Sequence, residues 1–414
     1  MADGPLNGVR VVDLTRVWAG PLGARILADL GADVVKVEAP NGRGAARGAT
    51  RGGQFAAGDP GDRPWNRQGS FNKLNRNKQS FVLDLKKPRA LELFLELVAK
   101  SDVVMENFSA GTMDDLGIGY EVLSAANPGI VYLSMPGYGL SGPYRDYVAY
   151  GPSIEPMTGL AYLLGYGDGI PRVTSIALPD ATAGTVAASA VMTALWRREV
   201  TGRGAFLDLS QHEGFIPFFA GELVAHQMEP DLPPISSNRH RAYAPHNVYR
   251  CAGDDDWIAI GARSGAEWLA LSRFAALGWE QDARFATLET RKANEDALDA
   301  AIEGWTVGLE KLELASMLQD AGVPAGAVMN APELLSEPHL HARGFFVELD
   351  HPDVWPVSYP GTPVRIDGAA PSGWTVAPTL GQHNEAILGG LLGLPDSEIA
   401  DLYAAGVTAD RPPG

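Results

Sequence analysis

The opening stretch of this chain constrains its fold more than any other. Gly8 to Leu14 reads as a buried strand, and Leu22 to Leu30 has helical spacing after the turn Ala19-Gly20-Pro21. Asp33 to Glu38 reads as a second strand. Gly31 stands where a helix C-terminus calls for glycine. Strand, helix and strand joined by short turns make a βαβ unit, and that unit implies a parallel sheet.

The alternation continues downstream. Phe81 to Leu85 is strand-like, Arg89 to Lys100 is an amphipathic helix after Pro88, and Asp102 to Glu106 and Ile130 to Met135 are further strands. Ala205 to Leu209 adds another, and a helix is expected from about Gln211 to Gln227. A stretch rich in Pro and Asp, Met228 to Ser237, separates this block from a second one. There Asn247 to Ala262 reads as strands, and Ser264 to Phe274, Glu295 to Trp305 and Glu310 to Asp320 as helices. Two last helices are expected at Asn384 to Leu392 and Asp396 to Ala404.

A chain of 414 residues exceeds what one core holds, so two domains are expected. The fold class read from this pattern is α/β, a Rossmann-like large domain with a smaller α+β domain. Ligands of open parallel sheets bind beyond the carboxyl ends of the strands. That singles out the turns Arg16 to Gly20, Glu106 to Gly111 and Pro136 to Gly142.

Composition narrows the function classes. The longest uncharged small-apolar run, Ala181 to Trp196, is shorter than the ~18 residues of a membrane span. Met1 to Pro5 has neither the basic start nor the apolar core of a signal peptide, and Cys251 is alone. A cytoplasmic protein with no membrane partner is the expectation. The net charge of −17 argues against nucleic acid as a partner. Charge is unevenly spread, however. From Lys36 to Arg89 twelve basic residues face four acids, a local net of +8 against −25 for the rest. Such an island reads either as a docking surface for a compact anion or as a solvated loop.

Several chemistries lack their signatures. Gly20-Pro21-Leu22-Gly23 does not supply the G-x-G-x-x-G spacing of dinucleotide binding, and Pro21 removes a donor. Neither a phosphate loop nor a G-x-S-x-G elbow is present. His339-Leu340-His341 has no carboxylate cluster to make it a metal site, and His240 and His246 are expected to serve in structural hydrogen bonds. What stands out is Asp180, in Leu178-Pro179-Asp180-Ala181-Thr182-Ala183-Gly184 at the mouth of the uncharged run. Locally it reads as a helix N-cap, the default for such an aspartate, or as a nucleophile that a buried helix presents.

Five blocks in order resemble the class III coenzyme A transferases, the CaiB/BaiF (formyl-CoA transferase-like) family. They are Pro5 to Leu14, Leu30 to Glu38, Asn75-Arg76-Asn77-Lys78-Gln79-Ser80, Asp102 to Phe108 and Gly381 to Leu388. The resemblance implies that Asp180 is a covalent nucleophile, in a Leu-x-Asp-x-x-x-Gly setting, moving CoA from an acyl-CoA to a carboxylic acid. It implies CoA as a substrate and no permanently bound cofactor or metal. The positions matching CoA contacts are Val17, Leu83, Lys86, Asn107 and Phe108, with Arg76 and Lys78 as further phosphate contacts. Gly137 and Tyr138 are candidates for oxyanion donors, and Trp18 faces the substrate. Two basic family positions fall on Ala39 and Asp115, so Arg43 or Arg47 is expected to compensate. A glutamine of formyl-CoA transferase is Trp18 here, and that enzyme's glycine-rich lid has no counterpart around Asn238 to His246. A bulkier or more apolar acyl group is expected.

By the same resemblance, residues 1–210 form the large CoA-binding domain, completed by about 355–414, and 236–330 the small one. Linkers at 211–235 and 331–354 make the subunit a ring, two of which interlock in a homodimer. A 2-methylacyl-CoA racemase of the same fold would also carry an aspartate at Asp180 but needs a histidine near Tyr150-Gly151-Pro152, where this chain has none. A non-catalytic subunit of a heteromeric transferase would have no need of Asp180.

Overall fold

Valine-rich strands one after another build the centre of the larger unit. The computed structural model describes residues 4–43, 55, 58–166, 168–231, 237–369 and 372–413. Six strands, β1 (Arg10–Asp13), β2 (Asp33–Glu38), β3 (Lys78–Val82), β4 (Val103–Glu106), β5 (Val131–Ser134) and β6 (Ala205–Asp208), pair in the order β3-β2-β1-β4-β5-β6. Every pairing is parallel.

Neighbouring residues of each strand feed opposite layers, as the two-residue period requires. Val12, Val35 and Val104 face a core that holds Phe94, Leu97, Ile387 and Leu402. Val11, Val34 and Val103 face a second core with Leu27, Ala187 and Val191. Burying each such side chain contributes roughly 1.5–3 kcal/mol. The sheet is thus covered on both faces, the usual condition of parallel strands.

Helix α1 (Ala19–Asp29) connects β1 to β2 and packs against the 24-residue helix Leu178–Thr201. Small residues set that contact. A Cβ on Gly23 would lie 2.9 Å from the Gly184 carbonyl oxygen, and one on Gly184 would lie 2.6 Å from that of Ala19. The short helix α2 (Gly69–Asn75) also packs on α1, and α3 (Pro88–Ala99) follows β3.

Local differences from the sequence reading have identifiable causes. The third strand begins at Lys78, three residues before the expected Phe81, because Lys78 and Ser80 find polar partners inside the sheet. The expected helix from Gln211 to Gln227 is broken. Pro217 sits in a 3-10 turn, Ile216–Phe219, between the helices Gln211–Phe215 and Ala220–Met228.

The chain divides into two compact units. The larger holds Met1–Thr158, Thr174–Ala220 and Leu340–Gly414; the smaller holds Gly159–Val173 and Gly221–His339. The sequence reading had placed Gly159–Val173 in the large domain. Within the smaller unit, β7 (His246–Arg250), β8 (Trp257–Gly261) and β9 (Ala325–Ala327) form an antiparallel sheet. Its core includes Trp268, Phe285, Leu298, Ile302 and the buried Cys251. His246 and His240 bond backbone groups of Asn238 and Ala242 there, as expected. In the larger unit a hairpin, β10 (Phe346–His351) and β11 (Val354–Pro360), precedes the C-terminal helix Asp396–Ala404. Among the described residues, no helix is long and apolar enough to cross a membrane.

Candidate active site

The strand order reverses between β1 and β4, and loops from both strands meet at that point. Asn107 locks them together: its side-chain oxygen accepts from the Arg16 N–H at 2.7 Å, and its amide donates to the Arg16 carbonyl at 2.8 Å. Val17, Trp18, Asn107 and Phe108 are thereby brought to one crevice, the position where open parallel sheets bind ligands. Val17 has φ +67°, a left-handed conformation that strains a β-branched residue, and its side chain is 69% exposed.

The strained turn leads into α1, and the Ala19 N–H at its start donates to the carboxylate of Asp180. Asp180 is not the N-cap. The helix begins at Leu178, with Ala177 as the cap at φ +49° and Pro179 in the first turn, where its missing N–H costs nothing. Asp180 is the third residue of the helix and only 7% exposed. Gly151 presses against it; a Cβ there would lie 1.7 Å from Asp180 Oδ2. The segment ahead of the helix is tied down by Glu155, whose buried carboxylate accepts from the Thr174 N–H and hydroxyl at 2.6 and 2.7 Å.

Burial pushes the Asp180 carboxyl up to about 6, against the opposing hydrogen bond from Ala19. The helix dipole, worth 0.3–1 kcal/mol, also favours the anion but does not outweigh desolvation. No charged side chain contributes to the shift. Above neutrality the site therefore holds an ionised, poorly solvated carboxylate with a single backbone donor. That is a group ready to form a bond to an electrophile.

Gly137 and Tyr138 follow β5. Gly137 packs against Ala149, two residues from Gly151, and a Cβ on it would lie 2.1 Å from the Ala149 Cβ. The Tyr138 hydroxyl donates to Met157 Sδ at 2.9 Å, and its ring meets those of Tyr144 and Tyr147 edge-on. Leu83 and Lys86 lie just past the carboxyl end of β3. The Leu83 side chain points into the core, and Lys86 is exposed.

The basic island needs correction. Lys78, with no exposed side-chain surface, donates to Asp13 Oδ2 at 2.8 Å, the Pro21 carbonyl and Asn75. Arg76, equally buried, grips Asp29 through two nitrogens at 3.0 and 2.7 Å. Arg43 does the same to Glu38, at 2.7 and 2.6 Å. None of the three is offered to a phosphate; each neutralises a buried carboxylate. Arg47 lies outside the described residues. Much of the local positive charge is therefore internal, a feature that counting charges along a chain does not detect.

Sequence reasoning missed three contributors. The Ala19 N–H and the Gly151 backbone carry no side-chain signature. Lys73, on α2, places its ammonium 5.4 Å from the centre of the Trp18 ring, a proximity that spacing does not reveal.

The chain is 34% identical to the succinyl-CoA–D-citramalate CoA-transferase of Chloroflexus aurantiacus over 97% of both chains. It is 34% identical to the acetyl-CoA:oxalate CoA-transferase of Acetobacter aceti over 88% of this chain and 90% of that one. Its fold matches a crystal structure of a CaiB/BaiF family protein from Brucella suis with a TM-score of 0.84 and 31% identity, covering 94% of this chain and 100% of the other. Residues 6–384 match the profile of CoA-transferase family III, and the chain belongs to that enzyme family.

Proposed function

We propose that the protein transfers CoA from an acyl-CoA to a carboxylic acid through covalent intermediates on Asp180. The observation that carries this reading is the state of Asp180: buried, without a charged partner, and held by one backbone N–H. Asp180 attacks the acyl carbon, the C–S bond breaks, and CoA thiolate leaves a mixed anhydride. The thiolate attacks Asp180 Cγ, giving an aspartyl-CoA thioester and releasing the donor acid. The acceptor carboxylate then attacks Cγ and expels the thiolate, which takes the new acyl group and frees Asp180. No net proton is consumed, so the reaction calls for no general base.

Donors for the developing oxyanions are the backbone N–H groups of Gly137 and Tyr138, which have no hydrogen-bond partner among the described residues. CoA lies along the strand ends, contacting Val17, Asn107, Phe108, Lys86 and the backbone at Leu83. Two copies interlock in the working enzyme. In support, Trp196 and Val200 on the Asp180 helix, and Phe218, are large apolar side chains left mostly exposed.

The racemase reading requires a histidine beside the carboxylate, and Gly151 occupies that place. The test is incubation with a panel of acyl-CoAs and acids in deuterated water. CoA exchange that depends on an acceptor acid supports transfer; deuterium at the α-carbon without any acceptor refutes it.

A further inference from the structure

Two left-handed residues, neither of them glycine, lead into the Asp180 helix. Ser175 has φ +63° and Ala177 φ +49°. That region costs free energy for a residue with a Cβ and persists only where the surroundings enforce it. Packing of the turn itself does not enforce it, because Ser175 is exposed and so is Ile176, at 56%. The Asp180 N–H donates to the Ala177 carbonyl at 3.0 Å, so a turn that relaxes takes the carboxylate with it.

The short helix Gly151–Met157 supplies the enforcement. At its start Gly151 closes on the helix entry, where a Cβ would collide with both the Ala177 Cβ and Asp180 Oδ2. Glu155 follows one turn later, on the same face, and is 1% exposed. Its two oxygens accept from the two donors of Thr174, Oε1 from the N–H at 2.6 Å and Oε2 from the hydroxyl at 2.7 Å. The chain leaves the larger unit after Thr158 and re-enters it at Thr174, so this clamp fixes the point of re-entry. One helix face thereby holds the strained turn at both ends, Thr174 and Ala177.

We infer that Glu155 is a positioning residue for Asp180: by clamping Thr174 it maintains the left-handed turn that aims the nucleophile. This rests on Asp180 being the nucleophile of the proposed transfer. A turn needed only for folding is equally well made from relaxed backbone. Strain kept beside the reacting group is the mark of preorganisation.

Three variants test it. Glu155→Met keeps the volume and removes both acceptors, and Thr174→Val removes the hydroxyl but leaves the N–H. Glu155→Gln keeps both bonds, since the amide oxygen accepts from the N–H and the amide nitrogen donates to a reversed hydroxyl. In Glu155→Met kcat should fall roughly 100-fold, the scale of a misplacement of about 1 Å, while KM for the acyl-CoA stays within about twofold of wild type. Glu155→Gln should recover kcat to within about threefold, and Thr174→Val should fall between the two. An unchanged kcat in Glu155→Met overturns the inference. So does a KM that rises while kcat holds, or a Gln variant as impaired as the Met variant. Carbodiimide labelling, read by peptide mapping at Asp180 and at the buried Asp13, separates positioning from folding without turnover. Faster labelling of Asp180 alone in Glu155→Met supports the inference, and equal acceleration at both carboxylates is general loosening and overturns it. If the wild type transfers no CoA to any acid yet Glu155→Met still exposes Asp180 alone, the clamp stands and the transferase reading falls.

Discussion

Asp13 and Asp180 are buried carboxylates in the same unit, and their surroundings are opposite. Burial alone would raise both. At Asp13 the ammonium groups of Lys36 and Lys78, with bonds from Lys78 and Thr15, outweigh burial and hold the carboxyl below its ordinary value. At Asp180 burial wins, and the carboxyl is pushed up to about 6. One is a structural anion whose charge is fully answered; the other is an anion kept short of partners. The difference between paired and unpaired burial locates chemistry in this fold better than the count of charges does.

The largest effect should come from removing the unpaired group. Asp180→Ala should lower CoA transfer by roughly 10,000-fold, the scale seen when a covalent nucleophile is lost. Its far-UV dichroism should stay native. Asp13→Ala should do the reverse. It strands Lys78 and Lys36 as buried cations and should cost about 3–5 kcal/mol of stability in denaturant titrations.

The sign of the pH dependence also separates the two sites. Asp13 has a depressed folded pKa, so its stabilisation is present above its unfolded value, about 3.9, and is lost as pH falls through the folded one. Asp180 has a raised folded pKa. The stability linked to its proton is complete below about pH 4 and is lost as pH rises through about 6. At pH 8 the ionised group then costs about 3 kcal/mol. Asp180→Asn should accordingly melt higher than wild type at pH 8 and near wild type at pH 4. Equal stability of the two proteins at pH 8 would show that Asp180 is better solvated than its position implies.

Smaller effects refine the site. Gly151→Ala would force a methyl group onto Asp180 Oδ2 and the Ala177 Cβ, and roughly 100-fold of kcat/KM should be lost, together with some thermal stability. In wild type, kcat/KM should fall about tenfold per pH unit below about 6, as the nucleophile takes up its proton.

Much of this fold was legible because apolar periodicity carries it. The strands around Val11, Val34 and Val103 fell within a residue or two of their expected ends, and their alternation assigned them to a parallel sheet. The start of strand β3 was placed three residues late because Lys78 and Ser80 are polar, and only buried pairing makes them strand residues. The same blindness enlarged the basic island, four of whose charges, on Lys36, Arg43, Arg76 and Lys78, are answered inside the protein. Asp180 was singled out through the resemblance of its surroundings to a family. Its place in the helix was mistaken by three residues, although Pro179 signalled that the first turn had begun. The Ala19 N–H and Gly151 contacts are backbone features of the folded chain, and no reading of side chains along the sequence could have supplied them.

The most direct test of the account is to trap the covalent enzyme. Wild-type protein incubated with an acyl-CoA that it turns over, without an acceptor acid, should carry a CoA thioester. Mass spectrometry after quenching with hydroxylamine or borohydride should place the modification on Asp180 and on no other residue. A modification on a different side chain, or full turnover with no covalent species on Asp180, would contradict the account.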